Sequence, residues 1–261
     1  MEAGYVVTVV SLATGLLPDA AFIRLVAYAY RRFEADLPPV VAAFPQGGIA
    51  LDIGSWYGPW TYWLAKQASH VHAFEPNPEV AAVLKRTVAA NVTVHQVAAS
   101  DAAGHATLAL PGGGKGTEGR ASLGGLCEST RAVEVETVRI DDLGLDAVTL
   151  IKVDVEGHEL AVLTGAAALI RSSHPLLVVE LEERHRGIAP TVDLLGEWGY
   201  RGRVRVEGRW RWLDDFDLGA HQAEHLEYWG SASFLKSALR GKTKYVNNVV
   251  FAHPSTTWDV P

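Results

Sequence analysis

Hydrophobic positions along this 261-residue chain follow two rhythms. Between residues 18 and 37, Phe22, Leu25, Val26, Ala29 and Phe33 recur near helical spacing, which predicts an amphipathic helix. Pro38 and Pro39 punctuate it, and "FPQGG" (44–48) reads as a turn. From there, short and nearly continuous apolar runs alternate with helical stretches. "IALDIG" (49–54), "HVHAFEP" (70–76), "VTVHQVAAS" (92–100), "VTLIKVDV" (148–155) and "PLLVVELE" (175–182) read as strands. "PWTYWLAKQAS" (59–69), "NPEVAAVLKRTVAAN" (77–91) and "ELAVLTGAAALIRS" (159–172) read as helices, the second with Asn77 as N-cap and Pro78 at the first helical position.

The middle of the chain breaks this alternation. "HATLALP" and "RAVEVETVRIDDL" are strand-like and flank a glycine-rich stretch, "GGGKGTEGR" (112–120), which lacks the phosphate-loop pattern and is expected to form a lid or an antiparallel connection. A helix near 190–198, a tryptophan-rich hairpin near 200–213 and a last strand, "VNNVVFAH" (246–253), complete the series. Repeated βα units with continuous apolar strands predict an α/β fold, a mainly parallel sheet with helices on both faces. The expected organisation is a helical preface over residues 1–45 and one domain over 46–261.

Composition narrows the partners. A net charge of -7 argues against nucleic acid, whose binding needs clustered Lys and Arg; the one basic run, "RGRVRVEGRWRW" (201–212), has acidic neighbours and reads as a solvated hairpin. Cys127 is the single cysteine, so no intrachain disulfide forms. The apolar N-terminal run, about 13 residues, is too short to span a membrane, and Glu2 stands where a signal peptide carries basic residues. A cytoplasmic protein without a transmembrane segment is expected.

Ligands of open α/β sheets bind beyond the carboxyl ends of the strands. In this chain those ends carry acids: Asp52, Glu75, Asp101 after Ser100, Asp154, and Glu180 with Glu182. Such a ring suits a cation, a ligand rich in hydroxyls, or a metal ion. Glu75 follows Gly54 by roughly twenty residues, the place from which an acid accepts hydrogen bonds from an adenosine ribose. A nicotinamide dinucleotide site would offer the same acid, but its loop would read G-x-G-x-x-G. Here Asp52 precedes Gly54, the middle glycine is missing, and Gly58 closes the loop. Asp52 would repel a pyrophosphate and suits the ammonium end of an amino acid joined to a nucleoside, as in S-adenosylmethionine. Trp56, Trp60 and Trp63 have helical spacing and are expected in the core; Trp56 or Tyr57 walling an acceptor pocket is the alternative.

"LDIGSWYGPW", "VHAFEPNPEV", "VAASDAAG", "VRIDDL" and "LIKVDVEGHELAVLTGA" occur in that order, and together they resemble the FkbM family of S-adenosylmethionine-dependent methyltransferases. The resemblance covers roughly residues 48–183 and implies the Rossmann-like class I methyltransferase fold, an α/β fold whose mainly parallel sheet ends in an antiparallel last strand. It implies that Asp52, Gly54 and Gly58 shape the cofactor loop, with Ser55 beside them. It also implies that Glu75, followed by Pro76, holds the ribose, and that Ser100 and Asp101 lie at the adenine. The loop departs from the family's usual G-A-N-I-G in having Ser55, Trp56 and Tyr57.

The resulting expectation is methyl transfer to a hydroxyl of a small-molecule, sugar or glycolipid acceptor, of natural-product or cell-surface glycan type. A carboxyl or nitrogen acceptor, or a non-catalytic nucleoside-binding scaffold, are the alternatives. An alcohol must lose its proton, which calls for a base or a metal. Asp154 is expected to face the transferring methyl, and with Glu180 to hold Mg²⁺ or Mn²⁺. Lys152 is expected to pair with Asp154 or Glu156, and His158 and His185 are candidate bases. "HQAEH" puts His221 and His225 four residues apart without a visible third metal ligand. Residues 184–245 are expected to form a lid over the acceptor or the interface of a homodimer.

Overall fold

The structure, a computed structural model, describes residues 17–111, 121–123, 129–231, 245–256 and 259–260. The glycine-rich stretch 112–120 and Cys127 lie outside them.

Among the described residues two helices come first, α1 (Asp19–Phe33) and α2 (Leu37–Ala43). Pro38 and Pro39 do not merely end the first helix: they occupy the opening turn of the second, where a missing N–H costs nothing. The main sheet then begins with β1 (Ile49–Ile53), α3 (Pro59–Leu64), β2 (His70–Phe74), α4 (Pro78–Thr87) and β3 (Val92–His95). Asn77 caps α4 as expected, its side chain accepting from Glu79 N at 3.0 Å. The expected strand 92–100 divides, because β4 (Ala98–Ala99) leaves for a second sheet. That sheet also contains β5 (Gly104–Pro111), β6 (Ser122–Leu123) and β7 (Ser129–Val138), in the order β4-β7-β5-β6.

The alternation resumes with β8 (Val148–Val153), α5 (Glu159–Gly165), α6 (Ala167–Ser173) and β9 (Leu176–Glu180). The expected helix 159–172 is thus broken at Ala166 (φ -112°). Gly165 lies at this break: a Cβ there would stand 1.9 Å from the Ser100 carbonyl, so only glycine lets the helix pass this close to the end of β4. After α7 (Glu183–Arg186) and α8 (Ala189–Glu197), β10 (Arg201–Val206) and β11 (Arg209–Trp212) form the expected hairpin. Helix α9 (Leu218–Ser231) and the last strand β12 (Asn248–Ala252) follow.

The main sheet has eight strands in the order β11-β10-β12-β9-β8-β1-β2-β3. Strands β9, β8, β1, β2 and β3 run parallel, and β12 and β10 join antiparallel. Side chains alternate between the two faces. Leu51, Ile53, Ile151, Val153, Leu177 and Val179 pack with Val162, Leu163 and Ile170 of α5 and α6. Ala50, Leu150, Leu176 and Val178 pack on the other side with Leu37, Val40, Trp60 and Leu64 of α2 and α3. Period two puts Asp52, Lys152 and Glu180 on this second face, so the polar residues continue an apolar column toward the carboxyl end of the sheet. Helix α1 closes that end: Phe22 meets Tyr57 edge-on at 5.0 Å, Trp63 Nε1 donates to Ala27 O at 2.8 Å, and Arg31 lies 4.4 Å from the Trp63 ring.

Candidate active site

A cleft opens at the carboxyl ends of β1, β2 and β8, enclosing about 810 Å³, its open mouth included. Gly54, Ser55, Trp56, Glu75 and Pro76 line it together with Tyr30, Glu34, Lys152, Asp154 and Glu156.

The glycines of the loop after β1 have a structural reason. Gly54 (φ +78°) passes so close to β8 that a Cβ would stand 1.7 Å from the Asp154 carbonyl oxygen. Gly58 (φ +71°) caps α3 in the left-handed conformation, with Leu84 at 3.0 Å from a would-be Cβ. What the loop backbone approaches is the neighbouring strand and helix, so close contact with a ligand is not needed to account for either glycine. Trp56 adopts φ +47° without being glycine. Its conformation is held by Glu75, whose Oε2 accepts from Trp56 N at 2.9 Å while Oε1 accepts from Asn77 N at 2.8 Å. Asp52, 2% exposed, accepts from both the backbone N–H and the hydroxyl of Thr61, at 2.9 and 2.5 Å. Burial raises its pKa to about 6 against those bonds.

In the same cleft Lys152 is 1% exposed, its Nζ 3.2 Å from Asp154 Oδ2. Burial alone would lower its pKa, but Asp154, Glu34 and Glu180 together push it up to about 12. Burial works to raise the Asp154 carboxyl; the Lys152 ammonium and a hydrogen bond from Glu180 overcome it and hold that carboxyl below its usual range. Burial and the Asp154 charge push Glu180 well up, so Glu180 carries the proton of the pair and donates it to Asp154. Asn247 donates to the other side of Glu180. Burial raises Glu34 to about 7, with Lys152 opposing, and Trp60 Nε1 donates to it at 2.6 Å. Glu156 sits at φ +49° in the turn after β8, pushed to about 8 by burial and then by the Asp154 charge.

The geometry departs from the expected metal pair. Asp154 and Glu180 are hydrogen-bonded to each other, and the Lys152 ammonium lies 3.2 Å from Asp154. Among the described residues no group of three or more His, Cys, Asp or Glu is arranged to hold a metal. His221 and His225 do lie one turn apart on α9, with rings 4.3 Å apart, and His225 Nδ1 contacts the His221 carbonyl at 2.9 Å.

The remaining candidates divide. His158 lines the cleft, its Nε2 2.9 Å from Ser100 Oγ. Ser100 is buried and also donates to Asp101 at 3.1 Å, but Asp101 is exposed and does not line the cleft. His185 is set back from it, 3.6 Å from Glu156 and 3.7 Å from Glu182. Tyr57 is in the core against Phe22, whereas Trp56 is in the cleft wall. Tyr30 and Glu34 belong to no motif; a 26-residue separation hides the Trp60–Glu34 bond from any local pattern. Among the described residues, none from 184 onward lines the cleft.

Residues 41–201 match the methyltransferase FkbM domain. Solved structures with a similar fold include an FkbM methyltransferase from Methylobacillus flagellatus (16% identity, TM-score 0.47), the match covering 80% of this chain and 44% of that one, so this chain spans less than half its length. A precorrin-6y C5,15-methyltransferase from Geobacter metallireducens matches with 12% identity and TM-score 0.45, over 85% of this chain and 87% of that one. A Streptococcus mutans protein described as a putative methyltransferase in complex with SAH matches with 8% identity and TM-score 0.44, over 84% and 96%. No match is found among curated protein sequences. No helix among the described residues is long and apolar enough to cross a membrane. With the family domain spanning well over half of its length, and with the parallel sheet and strand-end cleft such a domain needs, the chain belongs to the FkbM family of S-adenosylmethionine-dependent methyltransferases.

Proposed function

We propose that the chain transfers a methyl group to a hydroxyl of a small-molecule, sugar or glycolipid acceptor. The observation that carries this reading is the placement of two carboxylates, Glu34 and Asp154, in one cleft with opposite proton affinities. An alcohol must give up a proton as it is methylated, whereas a carboxylate acceptor has none to lose. Glu34, pushed to about 7, is matched to that task near neutral pH. Asp154, kept ionised by Lys152, accepts a hydrogen bond from the acceptor and orients it. Holding the reacting groups in line can supply up to roughly 7–11 kcal/mol of the barrier.

S-adenosylmethionine, when bound, supplies an electrophilic methyl on a sulfonium. The residues fit it: Glu75 is carboxylate-bearing and fixed by two backbone N–H groups at the tip of β2, where ribose hydroxyls can donate to its remaining lone pairs. Gly54, Ser55 and Pro76 flank that end, and the Ser100–His158 pair marks the adenine side. Asp52 sets a negative potential that favours the ammonium and sulfonium. In this reading His158 and His185 are not the base, since one is committed to Ser100 and the other is set back behind Glu156.

The test is release of S-adenosylhomocysteine during incubation of the protein and methyl donor with monosaccharides, glycosides and phenols, alongside matched carboxylic acids and amines. Turnover on hydroxyl acceptors is expected, with an acidic limb near pH 7 that Glu34→Gln abolishes. Turnover confined to acids or amines overturns the reading.

A further inference from the structure

Large hydrophobic side chains exposed singly are ordinary; gathered on one face they call for a partner. Among the described residues the exposed ones are Leu17, Leu25, Tyr28, Leu160 and Trp212, and the first three belong to α1 or lead into it. Leu25 is 51% and Tyr28 54% exposed, both in the middle of the helix. On a helical projection Arg24, Leu25, Tyr28, Arg31 and Arg32 fall in a stripe about 120° wide, and all five are exposed. Arg24 and Arg31 lie on one side of Tyr28 in that stripe and Arg32 on the other. Phe22, Ile23, Val26 and Ala27 occupy the opposite side and are buried.

Neighbours of the same character extend the stripe. Tyr28 meets the Trp63 ring at 4.9 Å and the Tyr62 ring at 6.2 Å, and exposed Lys66 lies 4.6 Å from Tyr62. Four cations, Arg24, Arg31, Arg32 and Lys66, thus surround apolar and aromatic side chains in a chain whose net charge is -7. Asp19, the only acid of α1, is paired with Arg86, and Glu34 just beyond the helix turns inward to Trp60. Residues 3–18 contain no charged side chain to offset the arginines. Arg31 and Arg32 also suit the negative end of the helix dipole, but Arg24 and the exposed apolar pair at mid-helix have no such reason. The other basic surface differs: on the β10–β11 hairpin, Arg201 and Arg203 are tied to Asp214 and Asp259.

We propose that the outer face of α1 docks the protein on an anionic lipid bilayer, and that the acceptor hydroxyl belongs to the polar headgroup of a lipid held there. Apolar side chains flanked by arginines match a bilayer surface: Leu25 and Tyr28 enter the headgroup layer while the cations reach its phosphates. Tyrosine, apolar in its ring and polar at its tip, suits that depth. A folded acidic partner would be expected to find a socket, and a protruding helix offers none. Tyr30 and Glu34, on the inner side of the same helix, line the cleft. Docking by the outer side therefore brings the cleft within about one helix diameter, roughly 10–12 Å, of the headgroups. That is the reach of a headgroup sugar, not of an acyl chain. Docking needs only the outer face of α1; its link to the acceptor rests on the hydroxyl-methylation reading given above.

The experiment is co-sedimentation of the full chain with vesicles, without cofactor or acceptor. Binding is expected to vesicles of equal parts phosphatidylglycerol and phosphatidylcholine and not to phosphatidylcholine alone, with release at about 0.5 M salt. Arg24→Glu changes the face by two charges and should weaken binding about tenfold or more. Leu25→Ser should weaken it about fivefold or more. Both positions are exposed and distant from the cleft lining, so turnover on a soluble hydroxyl acceptor should be unchanged. Arg209→Glu, on the exposed hairpin, should leave vesicle binding within about twofold. No binding, equal binding to neutral vesicles, or a loss with Arg209→Glu but not with the α1 variants overturns the inference. So does a dimer in solution that Leu25→Ser dissociates in protein that ignores vesicles, which would assign the face to a second copy. In each of these cases turnover on soluble hydroxyl acceptors still tests the hydroxyl reading separately. Vesicle binding with turnover confined to acids or amines would keep the docking face and remove the headgroup hydroxyl.

Discussion

Glu75 and Glu34 are two glutamates facing one cleft, and their surroundings could hardly differ more. Glu75 has both oxygens occupied by backbone N–H groups, each from a different loop, and so fixes the shape of the β2 end. Glu34 has one indole bond and otherwise faces buried groups of its own sign, Asp154 and Asp52 among them, eased by Lys152. The first is a carboxylate used as a brace. The second is held where losing its proton is unfavourable, which is what a group that must take up and give back a proton requires. One carboxyl of the cleft is held for fixed geometry and the other for changing charge.

The comparison breaks most sharply at Gly54. Gly54→Ala drives a methyl into the Asp154 carbonyl and strains a φ of +78°, so a loss of about 4 kcal/mol, or no folded protein, is expected in denaturant unfolding. Gly47→Ala, at φ +79° with nothing within 4 Å, isolates the backbone strain alone and should cost about 1 kcal/mol. Next in size, Glu75→Ala leaves the Trp56 and Asn77 N–H groups without their acceptor. It should cost about 2–3 kcal/mol of stability and weaken S-adenosylhomocysteine about 100-fold. Retained affinity in a folded variant would show that the β2 acid does not hold the ribose.

Glu34→Gln sharpens the contrast from the other side. Folding raises Glu34 from 4.5 to about 7, so the folded state keeps its proton to higher pH than the unfolded chain does. Below about pH 4.5 both states are protonated and the group contributes no difference; from there to about 7 it lowers stability progressively, and above 7 the cost is constant. Glutamine keeps the oxygen that Trp60 needs and removes the charge. The variant should therefore match the parent near pH 4 and exceed it by about 1–2 kcal/mol at pH 8, measured as a difference between two unfolding curves. A difference that does not depend on pH would mean Glu34 is not perturbed. His72, lowered to about 4 by burial and its histidine neighbours, adds the opposite slope to both curves and cancels in the difference. The smallest effect belongs to Arg86→Ala. The Arg86–Asp19 pair joins α4 to α1 at 2.8 Å, but its side chains are 59% and 34% exposed, so thermal unfolding should show no more than about 0.5 kcal/mol. Helix α1 is held by its aromatic contacts.

The residues of the cleft were also unequally legible in the sequence. Asp52, Glu75 and Asp154 could be placed because each ends an apolar run, and a strand end is a local pattern. The Asn77–Pro78 helix start was legible for the same reason. Glu34 and Tyr30 were not, because their position depends on how α1 lies across α3, which no spacing within either helix records. Lys152 could be paired with Asp154 from alternation on one strand, yet the proton shared with Glu180 depends on the register between neighbouring strands and on burial. The break at Ala166 and the division of strand 92–100 have a common origin in β4, two residues long and without a periodic run to read. Pro38 and Pro39 were misread as punctuation alone, since proline marks the beginning of a helix as readily as an end.

The Trp60–Glu34 bond carries one more consequence. The match to the family begins at residue 41, yet the wall formed by Tyr30 and Glu34 precedes it. In the proposed reading, the group that takes the acceptor's proton thus lies outside the matched passage, joined to it through an indole and an aromatic seam. Exchanging the stretch that carries α1 between homologues, while keeping Trp60 and Trp63 as its seat, is a route to retargeting the enzyme without disturbing its sheet.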